Sequence, residues 1–408
     1  MTAIEYQSDC VHLSSQGKIT AHLAFIFLFP GFFFYQTLLG VGAIRAYLGG
    51  YFSAVAFVFL LPLAWHYFIA IKKNRNFFQK TDLYFILFVI YYLFVLSANG
   101  AAGANATIVQ RYAATLVFCI DVYIVFRMLD LADRTFIFSA TSALLLMSAV
   151  TAYFSIDGFF YLRSLDEASN PESLATYQGF ARSYIFTFLV VVATVKTAGG
   201  RCLLYALAIT SLFLNGARSE FSAVLFIVPI IELYHARHKL VSVALAFFLS
   251  IWLGTNAESL LRMLPETRIL QLFDLSHSSS GAAREQLSLD AWHTISNNPV
   301  FGDFASYADG HYAHNILCGW VDFGLIGFLF FAAMLLVPAV LLLANGYFVH
   351  MKSGDFIVAF SFSCVAILWA LTAKAVPDMS IGAALGAFAK YRYTLRYRQA
   401  HPSHAPSC

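Results

Sequence analysis

The stretch HYAHNILCGWVDFGLIGFLFF, residues 311–331, begins with His314 and Asn315 and then becomes almost wholly apolar. The apolar run continues to about residue 344, which is long enough for a helix to cross about 30 Å of hydrocarbon. Asp322 lies inside this run, and an acid at such a depth is expected to face the protein interior and accept a hydrogen bond there. Glycines, which favour close approach of a second helix, recur at positions 319, 324 and 327.

The composition of the whole chain agrees with this segment. Of 408 residues, 60% are hydrophobic and only 12% are charged, and the mean hydropathy is +0.71. A soluble domain cannot bury that much apolar surface, so the sequence predicts an all-α polytopic membrane protein. About twelve apolar runs are long enough to span, near 19–40, 48–71, 82–99, 107–127, 135–155, 178–197, 202–217, 219–236, 240–256, 314–344, 355–376 and 379–392.

No repeat or low-complexity linker divides the chain, so residues 1–408 are predicted to form a single transmembrane domain. Two hydrophilic segments are long enough to fold outside the membrane. The smaller covers residues 156–177, and the larger, residues 257–313, separates spans nine and ten. The first 18 residues are polar and no cleavage site follows, so the first apolar run is expected to be a retained span.

The basic residues predict the orientation of these spans, because cytoplasmic loops are enriched in Lys and Arg. With the N-terminus inside, sixteen of the 25 basic residues fall on the cytoplasmic side, and all lysines except Lys374 are among them. Both termini are therefore predicted to be cytoplasmic. Arginine dominates the small set outside, and arginine forks suit carboxylate and phosphate groups.

Several functional classes are excluded by missing motifs. The six cysteines have no metal-ligand spacing, which argues against a disulfide framework and a zinc site. The chain has no Walker loop, HExxH, GxSxG, dinucleotide fingerprint or Asp-x-Asp pair. We therefore expect no metal and no cofactor.

The larger loop is net acidic, with three arginines and seven acids, so we do not expect it to bind nucleic acid. Within it, SSSGAAREQLSLDAWHTISNNP is typical of one helix, capped by Ser279 or Ser280 and stopped at Pro299. Apolar residues at four-residue spacing form a stripe along this helix, at Leu287, Ala291 and Ile295. The helix is expected to lie on or just above the membrane.

Three arginines and one histidine are candidate ligands for an anion at the outer face. Arg218 lies between two spans and could hold an anionic ligand or simply pair with Glu220. Arg284 is a cation in a first helical turn, against the helix dipole, or a solvated neighbour of Glu285. Arg182 opens the sixth span in a setting similar to that of Arg218. His314 at a span end is an interfacial residue or a functional one.

Three pieces in a fixed order resemble the superfamily of bacterial O-antigen polymerases and O-antigen ligases. They are the arginine of ARSEF, the segment SGAAREQLSLDAWHTISNNPVFGDF, and HNILCGWVDFGLIGFLFF. The characteristic features are a tryptophan helix ending in N-P-x-x-G and a span opening with His-Asn, here with glycines at positions 324 and 327. The motifs occupy the C-terminal third of the chain, and the other spans match only in number and topology.

The resemblance implies a metal-independent, GT-C-like glycosyltransferase in the bacterial inner membrane with a periplasmic active site. Its donor would be an undecaprenyl-diphosphate-linked oligosaccharide, its second substrate a glycan acceptor, and its surroundings the lipid bilayer. A membrane protein that regulates chain length is a further expected partner. The roles implied are catalytic for His314, Arg284 and Arg218, and substrate-binding for Arg182 and Asn315.

Three functions remain open at this point. A polymerase joins lipid-linked repeat units, and a ligase transfers the glycan to lipid A–core instead; the modest loop favours the polymerase. A flippase or transporter of lipid-linked oligosaccharides is the alternative of another class. Asp121 and His66 could begin a proton path for a transporter, but no ladder of acids or histidines continues from them.

Overall fold

The structure, a computed structural model, describes residues 14–45, 51–156, 159–160, 177–236, 244, 248, 255–256, 279–306, 313, 315–348, 352–373 and 378–400. These residues are almost entirely helical. The helices are α1 (Ser15–Ile26), α2 (Phe32–Gly40), α3 (Tyr51–Lys73), α4 (Lys80–Ala101), α5 (Ala106–Met128), α6 (Arg134–Tyr153), α7 (Tyr177–Val192), α8 (Ala198–Asn215), α9 (Arg218–His235), α10 (Ser279–Asn297), α11 (Leu317–Leu342), α12 (Gly354–Thr372) and α13 (Met379–Ala400).

Short elements join or extend some of these helices. A π-helical turn, Phe27–Gly31, connects α1 to α2 and contains Pro30, which has no N–H to donate to the helical ladder. A second π-helical turn, Leu343–Tyr347, extends α11. The strands β1 (Ser155–Ile156) and β2 (Phe159–Phe160) pair antiparallel after α6.

Eight helical segments in the described part of the chain are long and apolar enough to cross a membrane. They are Ser15–Gly40, Tyr51–Lys73, Lys80–Ala101, Ala106–Met128, Arg134–Tyr153, Ala198–Asn215, Leu317–Tyr347 and Gly354–Thr372. This confirms the predicted all-α polytopic membrane protein. The helices α7, α9 and α13 coincide with three further predicted spans, and the predicted ninth span, 240–256, lies almost wholly outside the described residues. Twelve spans therefore remain a prediction.

Contacts between helices assign many of the helix ends to two faces of the bundle, with α1 and α2 counted as one span. At one end of the bundle, which we name the lysine-rich face, four pairs join residues of different helices or their flanks: Lys18 with Asp130, Asn74 with Tyr393, Arg201 with Glu232, and Lys390 with Asp355. At the other end, the opposite face, three pairs do the same: Arg182 with Asp378, Tyr112 with Asp322, and Trp369 with Ser219. The grouping of these residues agrees with the alternation required by the predicted topology.

Helices α9 and α11 begin at the same face. Ser219 at the start of α9 contacts α12 at the opposite face, and Glu232 near its end pairs with the start of α8 at the lysine-rich face. Asp322, near the start of α11, meets Tyr112 at the opposite face. Helices α9 and α11 therefore run in the same direction, and the predicted ninth span between them stays a prediction.

A fully buried ion pair holds α4 to α5 near the lysine-rich face. The Arg127 Nε donates to Asp82 Oδ1 at 3.1 Å, and both side chains are completely inaccessible to solvent. The hydroxyls of Tyr67 and Tyr123 donate to the same oxygen at 2.7 and 2.6 Å, while the backbone N–H of Gln79 donates to Asp82 Oδ2. Arg127, one of the sixteen basic residues that the sequence placed on the cytoplasmic side, is thus a core residue.

Candidate functional site

The short connection between α8 and α9 sets the position of Arg218. Gly216 adopts a left-handed conformation (φ 76°) and ends α8, since its N–H donates to the carbonyls of Leu212 and Phe213. Only Gly216 and Ala217 separate the two helices, so Arg218 falls on the first residue of α9. Glu220, in the same turn, is fully buried and accepts a hydrogen bond from Ser219 Oγ at 2.6 Å.

Arg182, in the first half of α7, lies beside the segment that precedes α13. Its Nη2 is 2.9 Å from Asp378 Oδ2, and the two side chains are 23% and 9% exposed. The backbone N–H of Ser380 donates to Asp378 Oδ1 at 2.9 Å, which fixes the carboxylate at the start of α13. The guanidinium of Arg182 is therefore held at the opposite face by a positioned acid.

Trp369 of α12 connects the two arginine-bearing helices. Its Nε1 donates to the carbonyl of Ser219, next to Arg218, at 3.1 Å. Its ring centroid lies 5.8 Å from the Cζ of Arg182, within the range of a cation–π contact. The N-terminal parts of α7 and α9 consequently meet around one tryptophan.

Three buried polar atoms in this region have no hydrogen-bond partner among the described residues. They are Arg182 Nε, Asn215 Oδ1 and Ser380 Oγ. Buried polar atoms are nearly always hydrogen-bonded in folded proteins. We name Arg182, Asn215, Arg218, Ser219, Trp369, Asp378 and Ser380 the arginine cluster, and two donors and one acceptor in it are buried without a partner among the described residues.

A second group of predicted residues lies where α10 meets the start of α11. Asn315 Nδ2 donates to Ser288 Oγ on α10 at 2.9 Å, and Asn315 Oδ1 accepts from the N–H of Leu317 at 3.0 Å. Arg284 lies one turn before Ser288, whose hydroxyl donates to the Arg284 carbonyl. The Arg284 side chain is exposed, and no ion pair involving it occurs in the described part of the chain. In the structure, the Asn315 side chain fastens α10 to α11.

The segment after α10 docks into a break in α11, which the glycine spacing did not predict. Gly324 has φ 66° and ψ −176° inside α11, and Gly302 has φ 71°. A Cβ on either glycine would collide with a carbonyl oxygen across the contact, that of Val300 or Val321. The N–H of Asp303 donates to Val321 O at 2.7 Å, and the N–H of Leu325 donates to Val300 O at 3.0 Å.

This docking corrects one expectation. Gly324 was predicted to permit close approach of another helix, but it receives the loop residues Val300 and Phe301 instead. The end of the 257–313 segment contacts residues near the start of the Leu317–Tyr347 span, and its predicted place outside the membrane stays a prediction. Gly327 does fit the expectation, since it packs against Tyr91 of α4.

Asp322 has the structural role expected for a buried acid. Its side chain is 1% exposed and accepts a hydrogen bond from the Tyr112 hydroxyl at 2.6 Å. The N–H of Ala305 lies 3.5 Å from its other oxygen. Asp322 therefore ties α5, α11 and the docked segment together, and the predicted hydrogen bond inside the protein is confirmed.

The predicted site residues fall into two groups. Arg182 and Arg218 share the arginine cluster, while Arg284 and Asn315 lie at the α10–α11 junction. No hydrogen bond or ion pair joins Arg284 to Arg182 within the described ranges. His314 lies outside the described residues, between Ala313 and Asn315. Its predicted role stays a prediction.

Of the seven members of the arginine cluster, sequence reasoning found only Arg182 and Arg218. It missed the other five, among them Asp378 and Trp369. Asp378 stands in AVPDMS, immediately before an apolar run, where an acid often begins a helix. That signal predicts a cap at α13 but not the partner, which is almost 200 residues earlier. Trp369 could not be recognised as a site residue, because tryptophan is common near the ends of membrane spans.

Comparison with models of known protein families finds no match for this chain, and comparison with curated proteins finds none either.

Proposed function

We propose that this protein is a polysaccharide polymerase that joins undecaprenyl-diphosphate-linked repeat units at the opposite face, which we take to be periplasmic. The observation that carries the proposal is the arginine cluster. In it, Arg182 and the first turn of α9, which carries Arg218, both contact Trp369, and two buried donors and one buried acceptor have no partner in the described part of the chain.

Charge and geometry suit a diphosphate at this position. Arginine offers several N–H donors in a fixed plane and keeps its charge at all relevant pH values. Asp378 engages one nitrogen of Arg182 and leaves Nε available. The membrane face is also where a polyprenyl carrier presents its phosphates, with its tail among the apolar helices.

The reaction needs no electron transfer. An acceptor sugar hydroxyl attacks the anomeric carbon of the donor glycan, the new glycosidic C–O bond forms, and the bond from that carbon to the phosphate oxygen breaks. Undecaprenyl diphosphate leaves with the electron pair, and the hydroxyl proton passes to a base. Arg182 and Arg218 would stabilise the departing negative charge. His314 is the candidate base, because imidazole titrates near neutral pH.

The role of Arg284 depends on the α10–α11 junction. Arg284 lies on the side of α10 that carries Ser288, whose partner Asn315 follows His314 directly. We propose that Arg284 places a positive charge beside His314, in addition to the charges of Arg182 and Arg218. Asn315 would act by holding this junction together, in addition to any contact with substrate.

A ligase that transfers the glycan to lipid A–core would use the same arginines and base, since only the acceptor differs. A transporter is favoured by one specific observation. Asp121 is fully buried within α5, and neither of its carboxylate oxygens has a hydrogen-bond partner among the described residues. A transporter, however, requires midplane charges in symmetric halves, whereas the arginines discussed above lie at one face.

Deletion of the gene in the bacterium that carries it, followed by electrophoresis of its lipopolysaccharide, separates these functions. Loss of a polymerase leaves lipid A–core capped with a single repeat unit. Loss of a ligase leaves polymer on undecaprenyl diphosphate and none on lipid A. An unchanged banding pattern would contradict both enzymatic assignments for lipopolysaccharide.

A further inference from the structure

Large apolar side chains line one exposed side of α10 and the segment that follows it. Leu289 is 56% exposed, Trp292 51% and Phe301 88%. By the helical period of about 3.6 residues, Leu289 and Trp292 lie on one side of α10, together with Glu285 one turn nearer its start. This side lies about 110° round the helix from Ala291 and Ile295, which are buried against the protein.

The other exposed side of α10 is polar and internally hydrogen-bonded. Gln286 Nε2 donates to Asp290 Oδ1 at 2.9 Å, and the side chains of Asn297 and His293 are 3.3 Å apart. The helix therefore has three sides: one packed on α11, one apolar and one polar. A polar side next to an exposed apolar side is typical of a helix lying in a membrane interface.

The break in α11 indicates how deep in the membrane the segment after α10 lies. From Leu325 to Leu343 the chain is continuously helical and almost wholly apolar, and nineteen residues at about 1.5 Å each cover roughly 28 Å, close to the hydrocarbon thickness. This stretch alone is long enough to cross the hydrocarbon, which favours a position for Gly324 at its boundary. Val300 and Phe301, which touch Gly324, lie at the same level.

Aromatic contacts continue from α10 onto the lipid-facing surface of α11. The ring of Trp292 is 6.4 Å from that of Trp320, and Trp320 stacks on Phe328 at 5.0 Å. Next to Phe328 in this part of α11, Ile326 and Leu329 are 65% and 56% exposed. The apolar side of α10 is thus continuous with a surface that faces lipid.

Several backbone polar groups of the docked segment, residues 298–306, are hydrogen-bonded, as a low-dielectric environment requires. Irregular backbone is tolerated at membrane depth only where its polar groups are satisfied by protein. Here the carbonyls of Pro299 and Val300 accept hydrogen bonds from Trp320 Nε1 and the N–H of Leu325. The N–H groups of Gly302 and Asp303 donate to the carbonyls of Asn298 and Val321.

We propose that α10 and residues 298–306 form an interfacial anchor that inserts Leu289, Trp292 and Phe301 into the lipid leaflet at the opposite face. The partner is the bilayer surface, with the aromatic rings at headgroup level and Gln286, Asp290 and His293 towards water. This goes beyond the proposed function and does not depend on it, because a transporter or a ligase would be anchored in the same way.

Nitroxide labels test the anchor in the full-length chain reconstituted into phospholipid nanodiscs. Single cysteines replace Leu289, Trp292 and Phe301 in a background with Cys10, Cys202 and Cys408 changed to serine. Power saturation then compares collisions with oxygen, which concentrates in lipid, and with a water-soluble nickel chelate. We expect oxygen collisions to exceed nickel collisions severalfold at all three positions.

Gln286→Cys and His293→Cys are the matched controls on the polar side of the same helix. The proposal requires these two labels to collide more with nickel than with oxygen. Equal oxygen-to-nickel ratios at positions 289, 301 and 293 would overturn it. Trp292→Cys removes a ring contact with α11, so if that variant misfolds the decision rests on Leu289→Cys and Phe301→Cys.

Discussion

Two arginines near opposite faces of the bundle make ion pairs of different kinds. Arg182 pairs with Asp378 at a partly exposed position and keeps a nitrogen without a partner among the described residues. Arg127 and Asp82 are completely buried, and the acid accepts three further hydrogen bonds. The sequence predicted an anion-binding role for the first arginine and placed the second only among the basic residues of the cytoplasmic side. Neither acidic partner could be identified, since pairing is decided by tertiary packing.

Removing Arg127 is expected to destabilise the protein strongly. Arg127→Ala would leave the Asp82 carboxylate buried without a cation, which costs about 3–5 kcal/mol in comparable pairs. Lys18→Ala, which breaks the partly exposed pair with Asp130, should cost only about 1 kcal/mol or less. Denaturant unfolding of the purified variants in detergent measures both.

The double variant Asp82→Asn/Arg127→Met is the informative control for that prediction. It removes both charges, so it should recover part of the stability lost in Arg127→Ala. Equal unfolding midpoints for Arg127→Ala and Lys18→Ala would contradict the assignment of a buried ion pair.

At the scale of elements, the loop helix was predicted well and the break in α11 was not. Helix α10 runs over Ser279–Asn297, close to the predicted cap and stop, and Ala291 and Ile295 of the predicted stripe are buried. These features follow from local signals within one helix. The break at Gly324 depends on Val300, more than twenty residues earlier, and glycine in an apolar run also suits ordinary helix packing.

Gly324→Ala is expected to release the docked segment from α11. A Cβ at this position would strain the backbone at φ 66° and collide with the carbonyl of Val300. Hydrogen exchange measured by mass spectrometry should therefore speed up in peptides covering residues 300–305 and 321–325, where Asp303 and Leu325 donate across the contact.

Gly103→Ala is the control that distinguishes backbone strain at a positive φ from collision of the new Cβ with a neighbouring carbonyl. Gly103 has φ 93° and open space around its Cβ position, so only the left-handed penalty of about 1–2 kcal/mol applies. Exchange in residues 300–305 should not change in this variant. Unchanged exchange in Gly324→Ala as well would show that the contact does not hold the segment.

At the scale of the whole molecule, alternating helices bring the arginines of distant segments to one face. Hydropathy alone anticipated most of the described helices, because apolar runs of about twenty residues have few alternatives in a membrane. The placement of lysines and arginines predicts which helix ends share a face, and the side of the membrane on which each face lies stays a prediction. What hydropathy cannot supply is which helices are neighbours. The meeting of α7, α9, α12 and α13 around Trp369 depends on side-chain packing between segments far apart in the chain.

The central claim is glycosyl transfer from a polyprenyl diphosphate donor through the arginine cluster. Its most direct test is polymer formation by the purified protein in nanodiscs supplied with an undecaprenyl-diphosphate-linked repeat unit, followed by gel electrophoresis. We predict a ladder of products that persists in EDTA, because arginines rather than a metal stabilise the leaving diphosphate.

Variants make that assay specific for the proposed site. Arg182→Ala and Arg218→Ala should each reduce the rate about 100-fold or more, the usual loss when a group stabilising transition-state charge is removed. Arg75→Ala, an exposed arginine at the lysine-rich face, should retain the wild-type rate. A ladder formed at the wild-type rate by folded Arg182→Ala and Arg218→Ala, or no ladder from the wild-type protein, would contradict the account.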